Sequence, residues 1–257
     1  MRNQKTIRLF FLGIAVVLGV LHTWLDRFAM NPDGISYIEI GEAYASGDWS
    51  NALSAWWSPL YSLVIGAVLA IIHPSSYWEF PVVHMAHFLV YVFALASFTF
   101  LLRRIGQHLD AREDGFPPFV FEALGYMIFL IATFGLTTLT IITPDLLLSG
   151  FVYLAAGIVL TDGWNERTWR TAFLLGGVLG FGYLSKTPLL FLAPIFIGAA
   201  WVRSRDWRVG VGAILTFSII AGSFIALLST EKERFTIGDS GKVNYAWYIG
   251  GPAEHIH

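Results

Sequence analysis

Long runs of apolar residues alternate with short polar segments along the whole chain. A helix rises about 1.5 Å per residue, so about 20 residues are needed to cross a hydrocarbon core of about 30 Å. The longer runs satisfy this requirement, whereas runs of about 15 residues are marginal. The pattern predicts an all-α fold, a polytopic transmembrane helical bundle. Its apolar runs are 7–25, 59–73, 82–102, 119–139, 145–160, 171–185, 188–202 and 209–229.

The amino-acid composition narrows the class of protein further. Of the 257 residues, 56% are hydrophobic and only 13% are charged, whereas soluble domains carry about 25% charged residues. This balance excludes intrinsic disorder, a coiled coil and a basic surface for nucleic acids. The chain has no cysteine, which excludes disulfides, iron–sulfur clusters and thiolate zinc sites. Function must therefore come from the few polar residues that remain.

Basic residues cluster between the apolar runs and predict how the chain crosses the membrane. The first run follows Arg2, Lys5 and Arg8 without a small-residue cleavage site, which indicates an uncleaved anchor with a cytoplasmic N-terminus. If 59–81 re-enters the membrane or lies at its surface, every later basic cluster also falls on the cytoplasmic side. We therefore expect about seven spanning helices plus one short or re-entrant helix. The later clusters are Arg103/Arg104/Arg112, Arg167/Arg170 and Arg203/Arg205/Arg208.

The first outer segment, 26–58, is acidic and contains a turn followed by an amphipathic pattern. The turn is Asn31-Pro32-Asp33-Gly34, a sequence that can also cap a helix. Apolar positions then recur with helical spacing, while Glu39 and Glu42 point the other way. The segment predicts an amphipathic helix on the outer membrane surface. The apolar positions are Tyr37, Ile40, Gly41 and Tyr44.

Two further polar residues stand at the predicted outer ends of apolar runs. Asp145 begins the run 145–160, where it either caps the helix through the helix dipole or contacts a ligand. Lys186 lies in the short link 185–188, where it either snorkels to the interface or binds a phosphate at membrane depth. With Asp33, these residues bring two carboxylates and one cation to the same predicted membrane face.

Three segments around these residues resemble motifs of the GT-C glycosyltransferases. Asn31-Pro32-Asp33-Gly34-Ile35-Ser36-Tyr37, then Gly47-Asp48-Trp49 and Ser58-Pro59-Leu60-Tyr61, resembles their first outer loop. Thr143-Pro144-Asp145-Leu146-Leu147-Leu148 resembles their second acidic loop. Gly182-Tyr183-Leu184-Ser185-Lys186-Thr187-Pro188 is similar to their Leu-Thr-Lys-Gly-Pro link. The superfamily includes protein O-mannosyltransferases, the aminoarabinose transferase acting on lipid A and the oligosaccharyltransferase catalytic subunit.

The resemblance implies transfer of a sugar from a polyprenyl-phosphate donor to a glycan, lipid or protein acceptor. It also implies an integral protein of the bacterial inner membrane whose active face is periplasmic. Asp33 corresponds to the catalytic acid that acts as general base or positions the acceptor. Tyr37, Asp145 and Lys186 correspond to substrate-binding positions, Asp145 near the donor phosphate or a metal and Lys186 at the leaving phosphate. If the enzyme uses a divalent cation, Mg²⁺ or Mn²⁺, Asp33 and Asp145 would hold it.

The chain departs from the family pattern at two positions. Gly34 follows Asp33 where many relatives have a second acid, and Thr187 stands where many have glycine. These departures count against a paired-carboxylate metal site. The likeness covers residues 1–205, and we expect the N-terminal half of a usual family member. In this division 1–229 forms the transmembrane module, with 26–81 as its outer loop, and 230–257 begins a truncated outer polar segment.

An alternative is a non-enzymatic polytopic membrane protein, a transporter or a complex subunit, that shares only the helical scaffold. Transporters usually place ionisable residues near mid-bilayer, whereas here the charges lie at the ends of the apolar runs. His84 and His87 share one helix face near Glu79, where we expect pore-facing hydrogen bonds rather than a metal site. Gly176 and Gly180 predict close packing of two helices inside the fold.

Overall fold

All eight apolar runs form helices, and the all-α prediction is confirmed. The computed structural model describes residues 2–109, 117–137, 139–161 and 168–249, and in these residues it contains no strand. The predicted basic positions Arg112 and Arg167 lie outside this part of the chain. The helices are α1 Arg2–Leu25, α2 Pro32–Ser46, α3 Trp49–Ala52, α4 Pro59–Ile72, α5 Glu79–Leu109, α6 Pro118–Ile131, α7 Asp145–Val159, α8 Thr168–Ser185, α9 Pro188–Ser204, α10 Trp207–Glu231 and α11 Ser240–Ile249.

The helix ends follow local sequence signals. Proline occupies the first helical position of α2, α4, α6 and α9, where its missing N–H would have no helical partner in any case. Gly47 ends α2 in the left-handed conformation, with φ of 77°. The α6 helix continues as a π-helix over Ala132–Thr137.

Four helical segments are long and apolar enough to cross a membrane. They are Lys5–Leu25, Glu79–Leu109, Pro118–Thr137 and Trp207–Glu231. The helices α4, α7 and α9 are apolar but shorter, at 14, 15 and 17 residues. These findings indicate a membrane protein.

Contacts at one end of the bundle fix the relative directions of the helices. The Nε2 of His108 lies 2.9 Å from the carbonyl oxygen of Leu160 and 3.1 Å from a guanidinium nitrogen of Arg203, so α5, α7 and α9 end together. Arg8 forms an ion pair with Glu122, which brings the beginnings of α1 and α6 to the same end. We call this the basic end, defined by Arg8, Arg103, Arg104, Arg170, Arg203, Arg205 and Arg208.

Glycines bring neighbouring helix backbones into close contact. A methyl group on Gly176 would collide with the backbone of Ala213, and one on Gly180 would lie 2.8 Å from Cβ of Ile220. The predicted packing role of these glycines is confirmed, because both face α10 from α8. The same device joins α2 to α4, where a methyl group on Gly66 would collide with the Gly41 backbone.

The amphipathic pattern of α2 is confirmed, but its apolar face is covered by protein. Tyr37, Ile40 and Gly41 are buried, whereas Glu39 and Glu42 are exposed. Contacts of Tyr37 with Trp57 and Tyr61, and of Gly41 with Gly66, show that α2 and α4 run side by side in the same direction. The face that the sequence assigned to the membrane surface therefore packs on α4.

Candidate functional site

The residues predicted for the site line one cavity of about 510 Å³. Asp33 and Tyr37 reach it from α2, Asp145 from the first turn of α7, and Lys186 from the link between α8 and α9. The cavity lies at the end of the bundle opposite the basic end, where α1, α6 and α8 finish. Its full lining is Asp33, Tyr37, Trp56, Trp57, Ser58, Thr143, Pro144, Asp145, Ser185, Lys186, Ser240 and Asn244.

Asn31 and Ile142 join the two acidic segments. The side-chain Oδ1 of Asn31 accepts from the backbone N–H of Ile142 at 2.8 Å, and Nδ2 donates to the Ile142 carbonyl at 3.3 Å. Gly34 is buried at this junction, where a methyl group would lie 3.0 Å from Cβ of Ile142 and 2.5 Å from Sδ of Met30. The departure at Gly34 thus has a physical reason, because a second acid beside Asp33 would need the space that Ile142 fills.

Lys186 and Asp145 form an ion pair across the cavity wall, between Nζ and Oδ1. Both side chains remain reachable, with exposed fractions of 39% and 41%. Asp145 is also the first residue of α7, where a carboxylate is stabilised by the helix dipole. Lys186 is held in place by its backbone N–H, which donates to the Gly182 carbonyl at 3.1 Å. The pair provides a cation that an incoming anion can reach only in competition with Asp145.

Tyr37 presents a phenol that stays protonated. Its ring is buried edge-on against Trp57 and Tyr61, with ring centroids 5.0 Å apart in each case. Burial raises the pKa of Tyr37, and the negative charges of Asp33 and Asp145 raise it further. Among the described residues its hydroxyl has no hydrogen-bond partner, so it is available to donate to a ligand in the cavity.

Asp33 is the accessible carboxylate of the cavity that has no partner of its own. It is exposed, and within the described part of the chain it forms no hydrogen bond or ion pair. A carboxylate in this state can accept a proton or a hydrogen bond from a ligand hydroxyl. The cavity therefore combines an acceptor at Asp33, a donor at Tyr37 and a cation at Lys186.

Comparison of the chain with protein-family models, with curated proteins and with solved structures gives no match. The likeness to GT-C glycosyltransferases rests on the three sequence motifs alone. Each motif contributes at least one residue to the 510 Å³ cavity.

Two cavity residues, Ser240 and Asn244, come from a part of the chain where the sequence spacing indicates no role. They lie one turn apart on α11, which follows α10 through a strap at residues 232–239. The strap is fastened by a 2.6 Å hydrogen bond from the Asp239 N–H to the Ala55 carbonyl, and by the Tyr183 hydroxyl, which donates to Ile237 at 3.0 Å. Elsewhere in the segment after residue 230, Lys242 pairs with Asp239 at 3.0 Å, while Glu254 and His255 lie outside the described residues.

The donor groups of the cavity do not fit a divalent cation well. No group of three or more His, Asp or Glu side chains suited to a metal occurs in residues 2–109, 117–137, 139–161 and 168–249. Of the two cavity carboxylates, Asp145 already carries Lys186 as its counter-ion. A metal held by Asp33 and Asp145 would have to displace that lysine, so we derive no chemical step from a metal.

His84 and His87 of α5 are buried in the protein core and do not line the cavity. His84 donates to the Ala29 carbonyl at 2.7 Å, and Nδ1 of His87 lies 2.7 Å from the Tyr61 hydroxyl. Both histidines are buried, at 1% exposure. The expected hydrogen bonds are present, but they lie within the protein core rather than facing a pore.

Proposed function

We propose that the protein is a membrane glycosyltransferase of GT-C type, which moves a sugar from a polyprenyl-phosphate donor to a glycan, lipid or protein acceptor. One observation carries the proposal: Asp33, Asp145 and Lys186 come from three distant motifs and line the same cavity. A carboxylate and a cation that line one cavity suit the two ends of a glycosyl transfer. The carboxylate can activate the acceptor, and the cation can stabilise the departing phosphate.

The proposed setting is the bacterial inner membrane, with the N-terminus in the cytoplasm and the cavity on the periplasmic face. In this arrangement α1 and α5 to α10 are the seven spanning helices, and α2 and α4 lie at the outer surface. The gathering of arginines at the basic end supports it, because short basic segments stay cytoplasmic. Exposed tryptophans at both ends of the bundle, such as Trp24 and Trp201, support it as interfacial anchors.

In the proposed reaction, each cavity residue acts on a particular atom of the substrates. Asp33 accepts the proton of the acceptor hydroxyl as that oxygen attacks the anomeric carbon of the sugar. The bond from the anomeric carbon to the polyprenyl phosphate breaks, and its electron pair leaves with the phosphate oxygen. Lys186 exchanges Asp145 for this phosphate and stabilises its developing charge. Tyr37 donates a hydrogen bond to a sugar or phosphate oxygen, and Trp56 provides an exposed apolar surface at the cavity.

The test is replacement of Asp33 by Asn, with Glu39→Gln as the matched control. Glu39 is an exposed acid on the same helix that does not line the cavity. Purified variants are reconstituted with a panel of polyprenyl-phosphate sugars and a membrane extract as acceptor source. The expected result is a fall of about 10²–10⁴-fold in release of free polyprenyl phosphate for Asp33→Asn and none for the control. Wild-type release by Asp33→Asn would reject the assignment.

The second candidate is a non-enzymatic membrane protein, and the ion pair of Lys186 with Asp145 is the observation that favours it. A lysine neutralised by its neighbour can act as a structural link between α7 and the end of α8. This candidate predicts no protection of the outer loop by polyprenyl phosphate. Lipid-dependent protection of residues 26–58 from protease, lost in Lys186→Met, would count against it.

A further inference from the structure

A second cavity, of about 390 Å³, lies at the basic end between α1, α5 and α6. Three arginines line it, Arg8 from α1 and the neighbours Arg103 and Arg104 from α5. Glu122 of α6 and Gln107 complete its polar wall. None of these residues lines the 510 Å³ cavity at the other end of the bundle.

Among the described residues, the charges that line this second cavity do not balance. Arg8 pairs with Glu122, which neutralises one of the three guanidinium groups. Arg104 donates to the amide oxygen of Gln107 at 3.1 Å, a neutral partner that leaves its charge uncompensated. Arg103 is exposed and, within the described residues, forms no hydrogen bond or ion pair. Within the described residues, two adjacent guanidinium groups on one helix therefore line this cavity without an anionic partner.

Glu122 gives the same cavity a carboxylate that, within the described part of the chain, lacks a hydrogen-bond donor at one oxygen. Its side chain is only 7% exposed, and Arg8 engages Oε1 alone. The other oxygen, Oε2, is buried and has no hydrogen-bond partner among the described residues. An unsatisfied buried carboxylate oxygen is costly, so the site favours a ligand that brings an N–H or O–H donor.

We propose that this cavity binds a phosphate group whose ligand also carries a hydrogen-bond donor. The phosphate lies between Arg103 and Arg104, because guanidinium groups bind phosphate oxygens through paired hydrogen bonds. The donor, an ammonium or hydroxyl group of the same ligand, contacts the Glu122 carboxylate where this side chain lines the cavity. Phospholipid headgroups and soluble phosphate esters both have this chemistry, and basic pockets between membrane helices are known to favour headgroups. The proposal is independent of the glycosyltransferase assignment.

The experiment is native mass spectrometry of the purified full chain in detergent with three probes. Phosphatidylethanolamine has the phosphate and an N–H donor, phosphatidylcholine has the same phosphate without an N–H donor, and glycerophosphoethanolamine is the headgroup without acyl chains. We expect phosphatidylethanolamine to bind more tightly than phosphatidylcholine. Binding of glycerophosphoethanolamine as well would assign recognition to the headgroup alone, and its failure would assign it to the intact lipid.

The variants are Arg103→Gln with Arg104→Gln, against the control pair Arg170→Gln with Arg208→Gln. The control removes two exposed arginines at the same end of the bundle that do not line the cavity. We expect about tenfold weaker binding of phosphatidylethanolamine in the first pair and unchanged binding in the control. Equal losses in both pairs, or none in the first, would overturn the site and leave only a general charge effect.

The role of Glu122 is tested separately. Glu122→Gln should remove the preference for phosphatidylethanolamine over phosphatidylcholine. Because this substitution also breaks the ion pair with Arg8, thermal unfolding must first show that the variant folds. If it does not fold, the two lipids are compared on the unaltered chain and on Arg103→Gln, whose side chain has no partner among the described residues to lose. Equal binding of the two lipids by the unaltered chain would overturn the contact with Glu122.

Discussion

The side-chain amide of Asn31 forms two hydrogen bonds with the backbone of Ile142, 111 positions further along the chain. An amide is suited to this task because it offers a donor and an acceptor at once. Asn31 immediately precedes α2, and Ile142 lies just before α7. This one side chain therefore joins the two segments that carry Asp33 and Asp145.

Replacing Asn31 by Ala should loosen the cavity and destabilise the fold. Ile142 is fully buried, and its N–H and C=O would lose their partner at a cost of about 1–3 kcal/mol. Chemical denaturation measures the free energy of unfolding, and polyprenyl phosphate release measures activity, which should fall as well. The control is Asn51→Ala, which removes an amide bonded to Asp48 at the protein surface and should cost about 0.5 kcal/mol or less. Similar costs for both variants would argue against the coupling of the two segments.

Replacing Lys186 by Met should lower activity strongly but stability only slightly. The ion pair with Asp145 is partly exposed, and such pairs contribute about 1 kcal/mol or less. Loss of the cation at the leaving phosphate should lower release of polyprenyl phosphate by about 10²–10³-fold. A charge exchange, Asp145→Lys with Lys186→Asp, restores the pair but not the position of the cation. Recovery of activity in that double variant would show that the pair is structural.

Gly66→Ala should push α2 away from α4. The new methyl group meets the backbone of Gly41, which cannot rotate aside as a side chain can, so we expect a loss of about 3 kcal/mol in stability. Tyr37 should move with α2, and near-ultraviolet circular dichroism reports the change in aromatic packing. Gly177→Ala is the control, since a methyl group there meets open space and alanine favours the helix by about 1 kcal/mol. A neutral Gly66→Ala would contradict the close approach of the two helices.

Asp239 should make the strap sensitive to acid. A hydrogen bond from Arg234 lowers the pKa of Asp239, and Lys242 lowers it further, whereas burial acts the other way. A carboxylate whose pKa is lowered by folding stabilises the folded chain at pH values above the ordinary pKa of that group. This contribution to stability is lost as the pH falls through the lowered pKa. Protease cleavage of residues 232–249 should therefore increase at acidic pH, below the ordinary pKa of an aspartate side chain. Asp239→Asn should be cleaved readily at every pH, and Glu39→Gln should follow the wild type.

Removal of divalent cations should leave most of the activity in place. Lys186 already supplies a positive charge beside Asp145, so the proposed reaction has a counter-ion for the leaving phosphate. We expect release of polyprenyl phosphate in EDTA to stay within about twofold of the untreated enzyme, because a chelator leaves the lysine unchanged. Loss of activity that Mg²⁺ or Mn²⁺ restores would instead place a metal at Asp33 and Asp145.

Much of the scaffold could be predicted because membrane helices carry their signal in local sequence. The apolar run 59–73 corresponds to α4 at Pro59–Ile72, and the run 145–160 to α7 at Asp145–Val159. Proline at a first turn and glycine at a helix end act within a few residues of the boundary they set. The convergence of Asp33, Asp145 and Lys186 in one cavity agrees with the common face expected for them.

What could not be predicted depends on contacts between distant segments. The ion pair of Lys186 with Asp145 joins positions 41 apart, and each residue alone allowed two interpretations. Likewise, Ser240 and Asn244 reach the cavity only because the strap is fastened to Ala55 and Tyr183. Hydropathy reports the burial of a residue and carries no information about which partner covers it.

The position of α11 has a consequence for how the protein matures. Ribosomes deliver the chain from its N-terminus, and its segments can fold in that order. The segments that carry Asp33, Asp145 and Lys186 are therefore synthesised before Ser240 and Asn244. In order of synthesis, the charged walls of the cavity therefore precede the polar wall that α11 adds.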